Sequence, residues 1–229
     1  MNIEPIAKIE TDFPTKFGIP RQSGIVAELS GRIVFEDKYR SAEAIRGLED
    51  FSHLWVIWGF SENEGKEYSP TVRPPRLGGN KRMGVFATRS PFRPNGLGLS
   101  CLKLERIEST KKEGYVLVVS GADMVSGTPI YDIKPYLPFA DSHPEATGGF
   151  ADSVREDRLS VYADESLLNR IPADKREGLI GVLKGDPRPS YHHDPERIYG
   201  FPYAGFEVKF RVSDDTLTIC DIKEDGHES

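Results

Sequence analysis

The chain has 229 residues, of which 38% are hydrophobic and 29% charged, and its net charge is −6. A chain of this length buries most of the surface it exposes when unfolded, and its composition is far from that of disordered segments, so a packed core is expected and a disulfide-stapled miniprotein is excluded. The longest apolar run, Phe51 to Phe60, falls well short of the ~20 residues a spanning helix needs, and the Met-Asn-Ile-Glu-Pro start has neither a basic nor an apolar region, so a cytoplasmic protein is expected.

In the first half, short runs of β-branched and aromatic residues alternate with Gly and Pro, the pattern of β-structure. Strands are expected at Ile6 to Glu10, Ile25 to Leu29 and Arg32 to Phe35, with Ser30-Gly31 as a tight hairpin between the last two. Ser41 is positioned to cap a short helix that Gly47 ends. His53 to Phe60 reads as a strand buried on both faces, in which His53, Trp55, Trp58 and Phe60 are core residues. Further strands are expected at Met83 to Ala87, Leu97 to Ile107, Tyr115 to Ser120 and Ile130 to Ile133. A series of short strands without long helices between them favours a mainly β protein, a small closed barrel rather than a Rossmann-type parallel sheet.

Beyond Pro138 the stretch from Asp141 to Asp152 is small, polar and turn-rich, which suggests a linker between a barrel domain, residues 1–140, and a small α+β domain, residues 141–229. The second unit is expected to contain a strand at Leu159 to Ala163 and a helix from Asp164 to Arg170. A second helix from Ala173 to Lys184, ended by Gly185, and the loop Asp186-Pro-Arg-Pro-Ser-Tyr191 follow it. Strands at Phe206 to Val212 and Leu217 to Ile222, joined at Asp214-Asp215, close the chain. Cys101 and Cys220 each lie in apolar stretches without metal-ligand spacing and read as buried free thiols; His192 and His193, adjacent in a loop, are poorly placed to share a metal, so no metal site is expected.

The charge is unevenly spread. From Tyr68 to Lys103 the basic residues Arg73, Arg76, Lys81, Arg82, Arg89, Arg93 and Lys103 meet no acidic residue, while the stretch after Val212 is strongly acidic. The guanidinium fork matches phosphate and carboxylate, and prolines beside these arginines reduce the cost of ordering them, so the segment reads either as an anion-binding loop system or as a salt-bridged surface. Dinucleotide-binding, P-loop, nucleophile-elbow and zinc-protease motifs are all missing. Two other loops carry concentrated polar chemistry: Ile19-Pro-Arg-Gln22, which offers a guanidinium beside an amide, and Asp123-Met-Val-Ser-Gly-Thr-Pro129, which offers a carboxylate and a hydroxyl at a turn. Each is also compatible with a plain turn.

Taken together, the strings Pro20-Arg-Gln22, Arg46-Gly-Leu-Glu49, Phe51-Ser-His-Leu-Trp55, Arg73-Pro-Pro-Arg-Leu-Gly-Gly-Asn80, Met83-Gly-Val-Phe-Ala-Thr-Arg-Ser90, Asp132-Ile-Lys-Pro-Tyr-Leu-Pro138 and Asp186-Pro-Arg-Pro189 closely resemble the TsaA-like family, whose bacterial members are known as TrmO. The resemblance spans nearly the whole chain. It implies a homodimeric β-barrel that binds S-adenosyl-L-methionine and methylates N6 of N6-threonylcarbamoyladenosine at position 37 of tRNA-Thr. It also implies cofactor contacts at Pro20, Arg21, Gln22, Ser61, Glu62, Arg89, Leu99, Asp123, Met124, Val125 and Ser126. Ser61-Glu62 stands where proteobacterial members of the family carry His-Gln, and Ser126 replaces an acidic residue. The anticodon stem-loop is expected to meet Arg73, Arg76, Lys81, Arg82, Arg93 and, in the Asp-Pro-Arg-Pro loop, Arg188.

A urea-like N6 is a poor nucleophile, so a base is expected to take its proton as the methyl arrives, and Asp186, Tyr191 and Asp132 are the candidates. Two other readings compete: a non-catalytic module that binds S-adenosyl-L-methionine and RNA, and a barrel enzyme acting on a small anionic substrate.

Overall fold

The computed structural model describes residues 2–63, 65, 67–74, 81–152, 158–188 and 194–226. In chain order the first half contains β1 (Ala7–Thr11), β2 (Ser30–Phe35), β3 (His53–Gly59), β4 (Thr71–Val72), β5 (Met83–Gly84), β6 (Leu97–Thr110), β7 (Gly114–Ser120), β8 (Pro129–Pro135) and α1 (Pro138–Asp141). Six of these strands close a barrel in the order β1-β2-β7-β6-β3-β8, every neighbouring pair antiparallel. Alternate residues point inward, so Ile9, Ile33, Leu54, Val56, Leu102, Leu117, Val119 and Ile130 fill the interior. The expected barrel architecture is therefore present. β4 and β5 form a separate two-stranded ladder in the basic segment.

The second half contains β9 (Ser160–Tyr162), α2 (Glu165–Leu168), α3 (Ala173–Lys184), β10 (Tyr199–Tyr203), β11 (Phe206–Ser213) and β12 (Thr216–Glu224). Its sheet runs β10-β11-β12-β9, and α3 packs Leu179, Val182 and Leu183 against Phe201, Phe210 and Ile222. Phe13, Val26 and Leu29, from the connection between β1 and β2, are buried in this second cluster. A polar tie reinforces the junction: Lys175 Nζ on α3 donates to Asp12 Oδ2 at 2.8 Å and to Ser30 Oγ at 3.0 Å.

Several expectations are corrected. Ile25 to Leu29 is not a strand, because its buried residues, Val26 and Leu29, are three apart and serve the contact with the second cluster rather than a pleated ladder. Ser30-Gly31 is accordingly no hairpin turn but the first part of β2, paired with Ser120 and Val119. Residues 41–47 form successive turns rather than a capped helix; Ser41 Oγ accepts from the Glu43 amide, and Ile45 is the one buried residue there. β3 alternates buried and half-buried residues, as a barrel strand with one inner face must, and is not buried on both faces. Only Met83–Gly84 of the stretch to Ala87 is strand, the remainder being a 3-10 turn, and the helix begun by Asp164 ends at Leu168. β10 is an additional strand. Cys101 is half-buried, and Cys220 is exposed because it is the extra residue of a bulge, lying between Ile219 and Asp221, which pair with Phe210 and Lys209.

Candidate functional site

One end of the barrel is built by four segments: the end of β3 with the turn after it, the connection from β7 to β8, the loop that follows β1, and the basic segment. They enclose a cavity of about 240 Å³ lined by Trp58, Gly59, Phe60, Ser61, Glu62, Asp123, Met124, Val125, Lys16 and Pro91, among others. Trp58 and Phe60 meet edge to face with centroids 4.4 Å apart, and Lys16 Nζ reaches Glu62 Oε2 at 3.8 Å.

Asp123 is the chemical centre of this cavity. Its Oδ1 accepts the Ser100 hydroxyl proton at 2.7 Å, and Ser100 Oγ accepts the Trp58 indole N–H at 2.9 Å. Burial pushes the Asp123 carboxyl up to about 6; the Ser100 hydroxyl, the amides of Asp123 and Ser23, and the Arg89 charge pull the other way. The Pro20-Arg21-Gln22 loop is held beside it through two glycines. Gly24 N donates to Gly121 O at 3.0 Å, and a Cβ on Gly121, whose φ is +77°, would lie 3.1 Å from the Gly24 backbone. The close approach needs glycine at 121, and at Gly24 it is the backbone φ of +75° that favours glycine.

A larger cleft of about 1030 Å³ adjoins the cavity, with Pro91 in the wall of both. Arg21, Gln22, Arg73, Arg82 and Arg89 line it, interleaved with Phe92, Phe150, Pro74 and Pro91. Arg89 Nη1 donates to Gln22 Oε1, and Arg82 Nη1 donates to Thr71 Oγ1 at 3.1 Å. Four guanidiniums beside aromatic faces can receive an anion attached to a planar ring.

The predicted site residues divide into three groups. Pro20, Arg21, Gln22, Ser61, Glu62, Arg89, Asp123, Met124 and Val125 line the cavity, the cleft or an adjoining groove of about 120 Å³ between the loop after β1 and the end of α3, and Arg73 and Arg82 join them in the cleft. Asp186 also borders the adjoining groove beside Pro20 and Arg21; Arg188 grips it with Nε and Nη2 at 2.9 Å each, leaving the Arg188 side chain only 12% exposed. Others point elsewhere. Asp132 and Leu99 are register neighbours of Ile57 on the outer barrel wall, where Asp132 pairs with Lys134 at 2.7 Å. Ser126 turns to β1, accepting from Thr11 N at 3.2 Å, and Arg93 donates to the carbonyls of Thr88 and Ser90, so it braces the loop. Lys81 is exposed; Arg76 and Tyr191 lie outside the described residues.

Sequence reasoning missed Ser100, Lys16 and Phe150, and took Trp58 for simple packing. Ser100 had one legible signal, a hydroxyl in phase with Leu102 and Leu104 on the inner face of a strand. Among the described residues no group of three or more His, Cys, Asp or Glu side chains is placed to hold a metal ion, and no helix is long and apolar enough to cross a membrane.

The family model described as the tRNA-methyltransferase O N-terminal domain matches residues 8–142, and that of the TrmO C-terminal domain matches residues 160–225. The chain is 41% identical over 219 residues to the tRNA (adenine(37)-N6)-methyltransferase of Escherichia coli K12, covering 92% of this chain and 93% of that protein. It is 36% identical over 229 residues to a putative S-adenosylmethionine-dependent methyltransferase, RcsF, of Pseudomonas aeruginosa PAO1, covering 96% and 97%. The crystal structure of TrmO from Pseudomonas aeruginosa superimposes with a TM-score of 0.78 at 30% identity, covering 97% of this chain and 98% of that one.

Proposed function

The chain belongs to the TrmO family, and we propose that it transfers a methyl group from S-adenosyl-L-methionine to N6 of adenosine 37 in tRNA. The observation that carries this reading is the junction at Pro91 of a cavity holding a half-buried carboxylate with a cleft lined by arginines and aromatic rings.

The residues present fit the cofactor's chemistry. Asp123 and Glu62 suit an ammonium, the faces of Trp58 and Phe60 suit a sulfonium, and Arg21, Gln22 and Arg89 suit a carboxylate. When bound, the cofactor supplies an activated methyl group. The chain itself must fix two reactants in line and exclude water, and orientation of this kind contributes on the order of 7–11 kcal/mol. Arg73 and Arg82, with Lys81 outside the cleft, attract the phosphates, while Phe92 and Phe150 offer faces for an unstacked base. Of the candidate bases, Asp186 borders the groove beside Arg21, and the Arg188 fork holds its carboxylate in a fixed orientation. Asp186 is therefore our assignment for the group that takes the N6 proton.

The finer substrate assignment is N6-threonylcarbamoyladenosine of tRNA-Thr, since the guanidiniums of the cleft suit the carboxylate of such a substituent. We also infer a homodimer, in which the outer wall carrying Leu99, 52% exposed, faces the cofactor cavity of a second copy. Residues 1–140 would then hold the cofactor and residues 141–229, through the Asp186 loop, would face the tRNA. As an enzyme of tRNA modification, the protein is placed in the cytoplasm.

The test is methylation with radiolabelled S-adenosyl-L-methionine and tRNA-Thr with or without the threonylcarbamoyl group, read by nucleoside mass spectrometry. Label on N6 only when the group is present is the expected result. Cofactor binding without incorporation into either tRNA overturns the enzymatic reading in favour of a binding module.

A further inference from the structure

Among the described residues, and aromatic side chains aside, the buried polar or charged side chains are Ser100 and Thr128. Thr128 donates to the Val125 carbonyl within its own turn. Ser100, 1% exposed, serves no local turn of this kind, since its backbone is already paired with Val56 and its hydroxyl lies between Trp58 and Asp123. The direction of this relay is fixed by chemistry. An indole N–H can only donate, so Ser100 Oγ accepts from Trp58 and its own proton must go to Asp123. A hydroxyl polarised in this way is a stronger donor to a carboxylate.

We propose that Trp58 and Ser100 are positioning residues, which hold Asp123 as an oriented anion in the cavity wall to receive a hydrogen-bond donor of the cofactor, its ammonium or a ribose hydroxyl. This rests on the cavity being the cofactor site. A carboxylate accepts about four hydrogen bonds; Ser100 and the amides of Asp123 and Ser23 provide three, leaving capacity for a ligand. The other charges facing Asp123 are Arg89 from the basic segment and the Lys16–Glu62 pair across the cavity. The relay has a thermodynamic consequence as well as a geometric one. Burial alone would drive Asp123 toward its neutral form, and the Ser100 hydroxyl opposes this, so an anion persists at neutral pH where the site must bind a cation.

The experiment is calorimetric titration of S-adenosyl-L-methionine into the full-length protein between pH 5 and 8, for wild type, Ser100→Ala, Trp58→Phe and Asp123→Asn. Wild-type affinity is expected to fall as pH drops through about 6. Ser100→Ala should bind about tenfold more weakly at pH 7, with its acid limb moved to higher pH, because the lost donor favoured the charged form. Trp58→Phe should move the limb the same way by less, and Asp123→Asn should bind weakly with no limb. A Ser100→Ala variant with the wild-type limb, whether or not its affinity falls, overturns the relay. A wild type that binds no S-adenosyl-L-methionine at any pH overturns the cofactor reading itself.

Discussion

A Cβ placed on Gly98 would lie 2.3 Å from Cε2 of the Trp58 indole, which sits against the glycine backbone across the β3–β6 ladder. Glycine at this position is what lets the ring lie flat enough for its N–H to reach Ser100. Gly98→Ala should therefore force the indole out, break the Trp58–Ser100 hydrogen bond and overpack the barrel, at a cost of about 1–3 kcal/mol. Thermal melting and cofactor titration should fall together. Unchanged melting with intact binding would show that the barrel can absorb the methyl group and that the ring is not tightly packed.

Asp123 trades stability for an anion. Its folded-state pKa is raised from 3.8 to about 6, so ionisation disfavours the folded state, and the stability it leaves intact at low pH is lost as pH rises from about 4 to about 6. Asp123→Asn removes that loss while keeping an acceptor for Ser100. Urea denaturation should find the variant more stable by on the order of 1–3 kcal/mol above pH 7, with the advantage vanishing below pH 4. An advantage that is constant with pH would place the effect elsewhere.

The barrel and α3 were legible because their signals are local. α3 begins after Pro172 and ends at Gly185, and its buried Leu179, Val182 and Leu183 follow a helical period. β7 and β8 likewise stand between turn residues. β10 was not legible because Gly200 and Pro202 give it a loop composition; Pro is tolerated there because, among the described residues, β10 pairs only with β11, at the edge of its sheet. Ile25 to Leu29 has the composition of a strand but packs against a second cluster that no local pattern announces. In the site, the loops around Arg21, Arg89 and Asp123 could be singled out from their residues, whereas the Trp58–Ser100–Asp123 relay exists only once the register of β3 on β6 is known.

The Lys175–Asp12 pair joins α3 to the end of β1, and both side chains are largely shielded, at 23% and 14% exposure. Removing one partner strands the other charge in a poorly solvated place. Lys175→Met should destabilise by about 1–3 kcal/mol, whereas pairing it with Asp12→Asn should recover part of the loss. A double-mutant cycle in urea checks this, and strictly additive effects would mean that the pair contributes no interaction of its own.

Phe86 is 72% exposed, yet its neighbour Val85 is buried and fixed by a hydrogen bond from its amide to Pro70 O at 3.0 Å. An aromatic ring on an anchored turn beside Lys81 and Arg82 suits stacking on an unpaired base, and base stacking and phosphate contact have different signatures. Phe86→Ala should weaken binding of the anticodon stem-loop by about 1–3 kcal/mol at every salt concentration, without changing the slope of log affinity against log salt. Arg82→Ala should lower that slope by roughly one counterion, so that its deficit shrinks as salt is added. Affinities measured by fluorescence anisotropy across a potassium chloride series separate the two. If Phe86→Ala changes the slope, or leaves affinity untouched, the ring does not stack on the RNA. Its exposure must then serve another contact, such as that between two copies of the chain.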